Sequence, residues 1–337
     1  MQLTEETWIG VKCINKKRRR RRKRRTGLFL VLILIVSVLI GSFLLKQNEA
    51  PVASYEKNSY SSSVYQAALK IDDLCVASDN ISSDDFQSED EFHASALFQV
   101  DDAEVVHAKD IHEKLYPAST TKILTAYLAL KYGNLEDTIT ISENAVGVPL
   151  DSSRAGLRTG DQLTLEALLY GLMLPSGNDS AVAIAEYISG NVEDFAELMN
   201  TEATRLGATN SNFINPHGYQ DENHYTTAYD LYLIFNECIK YEKFQEIVSS
   251  SEYHTKITQK NGTYREVTWK QSNQYVNGTH SIPENVNVIG GKTGTTDEAG
   301  ACLILFSKRN DTPYISIIMG ADSKAVLYDN MSELISE

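Results

Sequence analysis

From Phe92 onward the apolar positions recur with a period that changes along the chain. Two short alternating runs, ASALFQV and AEVVHA, flank Asp101-Asp102 and predict a β-hairpin. Helical spacing then takes over from Ser119 to Tyr132, after Pro117, a residue favoured near helix starts. Leu163 to Leu174 and Ala181 to Ile188 read as two apolar helices on either side of the punctuated loop Pro175-Ser176-Gly177-Asn178. Phe195 to Leu206 is a further helix with Gly207 as its cap, and Thr227 to Ile239 another, capped by Thr226 or Thr227. Beyond Glu252 the period shortens again: YHTKIT, TYREVTW, VNVIGGKTG, ACLILFS and PYISIIMG read as strands, the last three as neighbours in an antiparallel sheet. Strands at both ends with helices between them predict an α+β domain whose sheet is assembled from both ends of that domain.

The first 90 residues follow no such pattern. Gly27 to Leu45 is 19 residues without a charge. At about 1.5 Å per residue it spans roughly 28 Å, enough to cross a bilayer. Ten consecutive basic residues, Lys16 to Arg25, precede it and predict a cytoplasmic N-terminus. A cleavable signal peptide is the rival, but its apolar core is shorter and ends in a small-residue site, whereas Lys46-Gln47-Asn48-Glu49 follows here. The expected organisation is therefore a basic tail over 1–25, a transmembrane anchor over 26–45, a flexible acidic stalk over 46–90 and a folded domain over 91–337. Within the stalk, Val64 to Val76 could form a short helix.

The overall charge of −14 hides a segregation, because eleven basic residues precede Thr26. The chain beyond the apolar segment carries 20 basic and 43 acidic residues, which argues against nucleic acid as a partner. Of four cysteines, Cys75, Cys238 and Cys302 follow the apolar segment, an odd number that cannot all pair internally. No spaced Cys/His set predicts a metal, and no cofactor is expected.

Three short motifs carry the chemistry: Ser119-Thr120-Thr121-Lys122, Ser176-Gly177-Asn178 and Lys292-Thr293-Gly294. Each is weak alone; their order, at a helix start, an interhelical loop and a strand, is specific. A serine hydroxyl needs an adjacent base to act as nucleophile. Lys122, three residues on, lies on the same helix face one turn away. Its amine is a base only when neutral, which burial and a second cation such as Lys292 favour. A helix start at Ser119 also directs backbone N–H groups at developing negative charge.

With these motifs and their surroundings, LYPASTTKILTAYLAL, SRAGLRTGDQLTLEALLYGLMLPSGNDSAVAIAE, FINPHGYQDENHYTTAYDL and GGKTGTTDEAGACLILFS, residues 92 to 330 resemble the serine-type D-alanyl-D-alanine carboxypeptidases. These are low-molecular-mass penicillin-binding proteins of peptidase family S11. The resemblance implies a β-lactamase/DD-peptidase-like fold, an antiparallel sheet flanked by helices plus an all-helical subdomain. It implies a substrate class, peptidoglycan stem peptides ending in D-Ala-D-Ala, and covalent inhibition by β-lactams. By motif match Ser119 would be the nucleophile and Lys122 its base. Ser176 would pass a proton to the leaving amine, and Asn178 would orient Lys122 and the substrate amide. Lys292 would supply positive charge, Thr293 would bind the terminal carboxylate, and Gly294 would let substrate lie close to the strand. The N–H groups of Ser119 and Thr295 would form the oxyanion hole. His217 and Tyr225-Thr226-Thr227 read equally well as turn and cap, and Arg154 and Arg158 as loop salt bridges.

Two departures from the family pattern stand out. Many relatives carry an arginine shortly after the last core strand, where Gly320 to Leu327 has none and Lys324 is the available cation. Relatives also commonly carry a cleaved signal peptide, a further β-rich domain and a C-terminal anchor, whose part the N-terminal span is expected to take here. A class A β-lactamase shares the motif order but needs a deacylating glutamate between the second and third motifs; Glu197-Leu198-Met199-Asn200 has the wrong spacing. A D,D-endopeptidase acting on cross-links and a non-catalytic wall-binding scaffold remain alternatives.

Overall fold

The computed structural model describes residues 74–83, 86 and 91–337. The basic tail, the apolar segment, the first part of the stalk and most of the short helix expected over Val64 to Val76 lie outside the described residues. Among the described residues no helix is long and apolar enough to cross a membrane.

The predicted hairpin forms from β1 (Ala94–Gln99) and β2 (Glu104–Lys109). It joins β7 (Val286–Thr296), β8 (Gly300–Arg309) and β9 (Thr312–Ala321) in an antiparallel sheet of order β2-β1-β9-β8-β7. The first strand of the domain thus pairs with the last, Ala94 opposite Met319 and Gln99 opposite Tyr314. Central strands are apolar on both sides because both sheet faces are covered. In β8, Leu303 and Leu305 face one core and Ile304 and Phe306 the other, the two-residue period of a strand.

Helices fill the chain between. They are α1 (Lys122–Tyr132), α2 (Glu143–Val146), α3 (Leu165–Met173), α4 (Asn178–Ser189), α5 (Val192–Arg205), α6 (Ala228–Cys238) and α7 (Glu242–Ser249). Thr227 caps α6 by accepting from the Asp230 N–H, as one of the two sequence candidates requires. Every residue of α1 from Lys122 to Ala129 is buried, so this helix has no solvated face over its first two turns. A lysine at its first position is therefore carried into the interior by the packing of its neighbours.

Three features differ from expectation. The second lobe is not all-helical. A four-stranded antiparallel sheet, β3 (Thr138–Thr140), β4 (Gln162–Thr164), β5 (Glu252–Thr258) and β6 (Tyr264–Lys270), borders its helices. With three residues each, β3 and β4 are too short to show alternation. The domain also closes with a helix, α8 (Lys324–Ser336), capped by Ser323 and laid by Leu327, Met331 and Leu334 on the face of Leu303 and Leu305. Finally, part of the acidic stretch packs on the domain. Cys75 is fully buried, its N–H donates to the Tyr232 hydroxyl at 3.0 Å, and Ile81 pairs with Ala108. Leu74 to Val76 is not helical. Cys75, Cys238 and Cys302 are buried thiols, not disulfides.

Candidate active site

Ser119 lies in a 3-10 turn, Ala118–Thr121, that runs directly into α1. The residue before it, Ala118, has φ +46°, a left-handed conformation that costs a non-glycine residue about 1–3 kcal/mol. Two glycines hold it there. A Cβ on Gly218 would lie 1.7 Å from the Ala118 carbonyl oxygen, and one on Gly294 would lie 2.9 Å from the Pro117 oxygen and 3.1 Å from the Ser119 nitrogen. The bare Gly294 thus lets β7 close against the serine turn, and it also lines the cleft where substrate is expected to lie.

Lys122 is fully buried. Its Nζ stands 2.8 Å from Ser119 Oγ, 2.7 Å from Asn178 Oδ1 and 2.8 Å from the His217 carbonyl oxygen. Burial, then the nearby Lys292 ammonium, pushes its pKa well below the usual lysine range, with Asp179 opposing. A neutral amine has two hydrogens and one lone pair. The amide and carbonyl oxygens can only accept, so they take the hydrogens, and the lone pair is left facing the Ser119 hydroxyl. Lys292 on β7 is equally buried, donates to its neighbour's carbonyl at Thr293 (2.9 Å), and is lowered by burial to about 7.

Above these buried groups lies a cleft of about 150 Å³ lined by Ser119, Ser176, Thr293, Gly294 and Thr295. The three motifs meet there: Ser119, Ser176 and the β7 residues form the wall, while Lys122, Asn178 and Lys292 lie beneath it. Ser176, with φ +63°, presents a hydroxyl with no hydrogen-bond partner among the described residues. Thr293 Oγ1 lies 3.1 Å from Ser272 Oγ, and the Thr295 hydroxyl donates to the Gly294 carbonyl. Lys324, at the first position of α8, also lines the cleft and is exposed. No carboxylate is among its lining residues.

Several contributors carry no mark in the motifs. Asp179 accepts from the N–H groups of Ala155, Gly156 and Leu157 at 2.8–3.0 Å, tying the loop that carries Ser153 to the start of α4. An acid directly after Ser-Gly-Asn, in the first turn of a helix, was the available signal. His217 meets Lys122 through its main chain; its ring Nδ1 accepts from the Tyr219 N–H, and burial lowers it to about 3. Arg154 donates to the Val148 carbonyl, and Asp161 pairs with Arg265 at 2.6 Å, so neither Arg154 nor Arg158 makes an ion pair among the described residues.

A family model described as D-alanyl-D-alanine carboxypeptidase, peptidase S11, matches residues 84–323. The chain belongs to the peptidase S11 family. This S11 chain is 34% identical over 241 residues to the D-alanyl-D-alanine carboxypeptidase DacF of Bacillus subtilis, covering 69% of this chain and 58% of that one. It is 36% identical over 231 residues to DacA of Haemophilus influenzae, covering 66% of this chain and 56% of that one. It spans little more than half the length of those relatives. The crystal structure of the Streptomyces K15 DD-transpeptidase superposes with a TM-score of 0.69 at 28% identity, covering 76% of this S11 chain and 98% of that one. The α+β DD-peptidase fold expected from the motifs is the fold observed.

Proposed function

We propose that this S11 protein is a serine-type D,D-carboxypeptidase that removes the terminal D-alanine from peptidoglycan stem pentapeptides and is acylated by β-lactams. The observation that carries the reading is Lys122 between one hydroxyl and two acceptor-only oxygens, directly under an open cleft. Ser119 attacks the penultimate D-Ala carbonyl while Lys122 takes its proton. The N–H groups of Ser119 and Thr295 receive the oxyanion. Ser176, whose hydroxyl has no other partner among the described residues, hands its proton to the departing D-Ala amine and takes the proton held by Lys122, which returns the lysine to its neutral form. Thr293 and Lys324 take the terminal carboxylate, with Lys292 supplying positive charge from beneath. Lys324 does so as a point charge, without the bidentate fork of an arginine. Water then resolves the acyl-enzyme with Lys122 as base. The lack of an E-x-x-L-N-like glutamate between the second and third motifs favours slow release of a ring-opened penicillin over β-lactamase turnover.

In the same reading residues 26–45 anchor the protein in the cytoplasmic membrane with residues 1–25 inside, and the remaining chain faces the cell wall. The test is intact mass of the purified protein after benzylpenicillin, with a Ser119→Ala control, beside D-Ala release from a pentapeptide and cleavage of a cross-linked dimer. A one-to-one adduct lost in the control, with D-Ala released, is expected. Cleavage of the dimer alone would favour an endopeptidase, and no adduct from folded protein a wall-binding scaffold.

A further inference from the structure

The carbonyl that fixes the Lys122 lone pair belongs to a loop, Phe213 to Gly218, with no regular structure of its own. A histidine outside the loop bridges its Ile214 end to Thr121, just ahead of α1. His224, 2% exposed, accepts the Ile214 N–H on Nδ1 at 3.1 Å, so its other nitrogen carries the hydrogen. That Nε2 lies 2.9 Å from Thr121 Oγ1, the residue beside Lys122, and donates to it. The Phe213 ring packs edge-on against the imidazole at 5.6 Å. Two further contacts run from loop to helix: Thr125 Oγ1 donates to the Pro216 carbonyl at 2.6 Å, and Lys122 to that of His217. Neither ties the Ile214 end of the loop, which is where His224 acts.

We propose that His224 is a positioning residue for Lys122: by bridging Ile214 to Thr121 it keeps the His217 carbonyl on the lysine amine and the lone pair on Ser119. This rests on the reading of Lys122 as the base. The bridge needs a neutral ring, because a protonated Nδ1 would set a donor against the Ile214 N–H. The titratable groups facing it are Asp221, Lys122 and His217. Burial holds it down to about 4, with Asp221 opposing and Lys122 assisting, so the bridge stays formed at neutral pH.

The two halves of the bridge can be separated in the full-length protein. His224→Asn retains an acceptor near Nδ1, His224→Gln a donor near Nε2, and His224→Ala neither; Thr121→Val removes the far end and leaves the histidine. The measurements are benzylpenicillin acylation rate against pH, and amide exchange of the 213–218 segment by mass spectrometry. Expected for His224→Ala is a roughly 10- to 100-fold slower acylation, the loss that misplacing a reacting group produces. Its acid limb moves to higher pH, because water reaching Lys122 restores the amine's basicity, and exchange in 213–218 is faster. The Asn and Gln variants fall between, and Thr121→Val reproduces the direction of the pH shift even if His224→Ala fails to fold. Faster exchange with an unmoved acid limb in both His224→Ala and Thr121→Val would overturn the inference and leave His224 a structural residue. Unchanged exchange would overturn it too. A wild-type protein that is not acylated would remove the Lys122 reading itself, and this inference with it.

Discussion

Among the described residues two serines lie 2.8 Å from a nitrogen base, Ser119 against Lys122 and Ser95 against His107. Ser95 is fully buried in β1, and His107, 4% exposed on β2, meets the Phe86 ring edge-to-face at 4.9 Å. Burial pushes both bases down, His107 to about 4 and Lys122 well below its usual range. The difference lies in access and in what surrounds the base. Ser119 opens on a cleft, and the other partners of Lys122 are acceptors that commit its hydrogens. No substrate reaches Ser95, and the second ring nitrogen of His107 has no partner among the described residues. A serine beside a base is thus a packing solution in one place and, in the proposed function, a reactive pair in the other.

Breaking each pair gives the largest contrast. Lys122→Met is expected to slow acylation by about 10²- to 10⁴-fold, the usual contribution of a general base, measured with benzylpenicillin under single-turnover conditions. Ser95→Ala should leave that rate unchanged, and a comparable loss there would end the distinction drawn above. Next comes Asn178→Ala, which frees one lysine hydrogen from its acceptor. At about 1–3 kcal/mol for an unsatisfied buried group, it should slow acylation roughly 5- to 150-fold, with the folded state retained by circular dichroism.

Titration sharpens the comparison further. In the proposed mechanism acylation needs Lys122 neutral, so its rate should fall toward acid. Lys292, near 7, loses its charge above that pH, so an alkaline decline is expected in the free protein's profile. Both lysines have folded pKa values below their unfolded ones, so the unfolded chain binds more protons between the two values. Stability should therefore rise with pH from about 7 toward 10.5 through Lys292, and the penalty is complete below that window. Lys292→Met should accordingly raise the melting temperature at pH 6 while impairing acylation; a lowered melting temperature would show the buried charge to be stabilising. The smallest effect is expected at Lys324. An exposed cation is worth roughly 0.2–1 kcal/mol, so Lys324→Ala should raise KM for a pentapeptide up to about fivefold, and Lys324→Arg should lower it.

Much of this was legible in the sequence, for reasons that differ by residue. Ser119 and Lys122 were readable together because a three-residue interval is one helical turn, and β7 to β9 because their apolar runs are bounded by turns. The His217 carbonyl was not, since a main-chain acceptor has no residue signature. Asp179 follows the second motif directly, but its three main-chain donors lie more than twenty residues back and leave no local pattern. The closing helix α8 could have been read from Ser323 and the spacing of Leu327, Met331 and Leu334. The second sheet was hidden because β4 meets β5 at a single pair, Gln162 and Thr258, nearly a hundred positions apart in the chain.

The pairing of β1 with β9 also governs the order in which the cleft can be assembled. The strand that bears Lys292 is held at the sheet edge by β8, β8 by β9, and β9 by a strand laid down more than two hundred residues earlier. A growing chain carries Ser119 and Lys122 one helical turn apart long before that sheet exists, yet it has no opposite cleft wall until residue 321 has emerged. Long-range closure of this kind is slow and leaves strand edges exposed meanwhile. The serine and lysine are therefore made early and the cleft above them late.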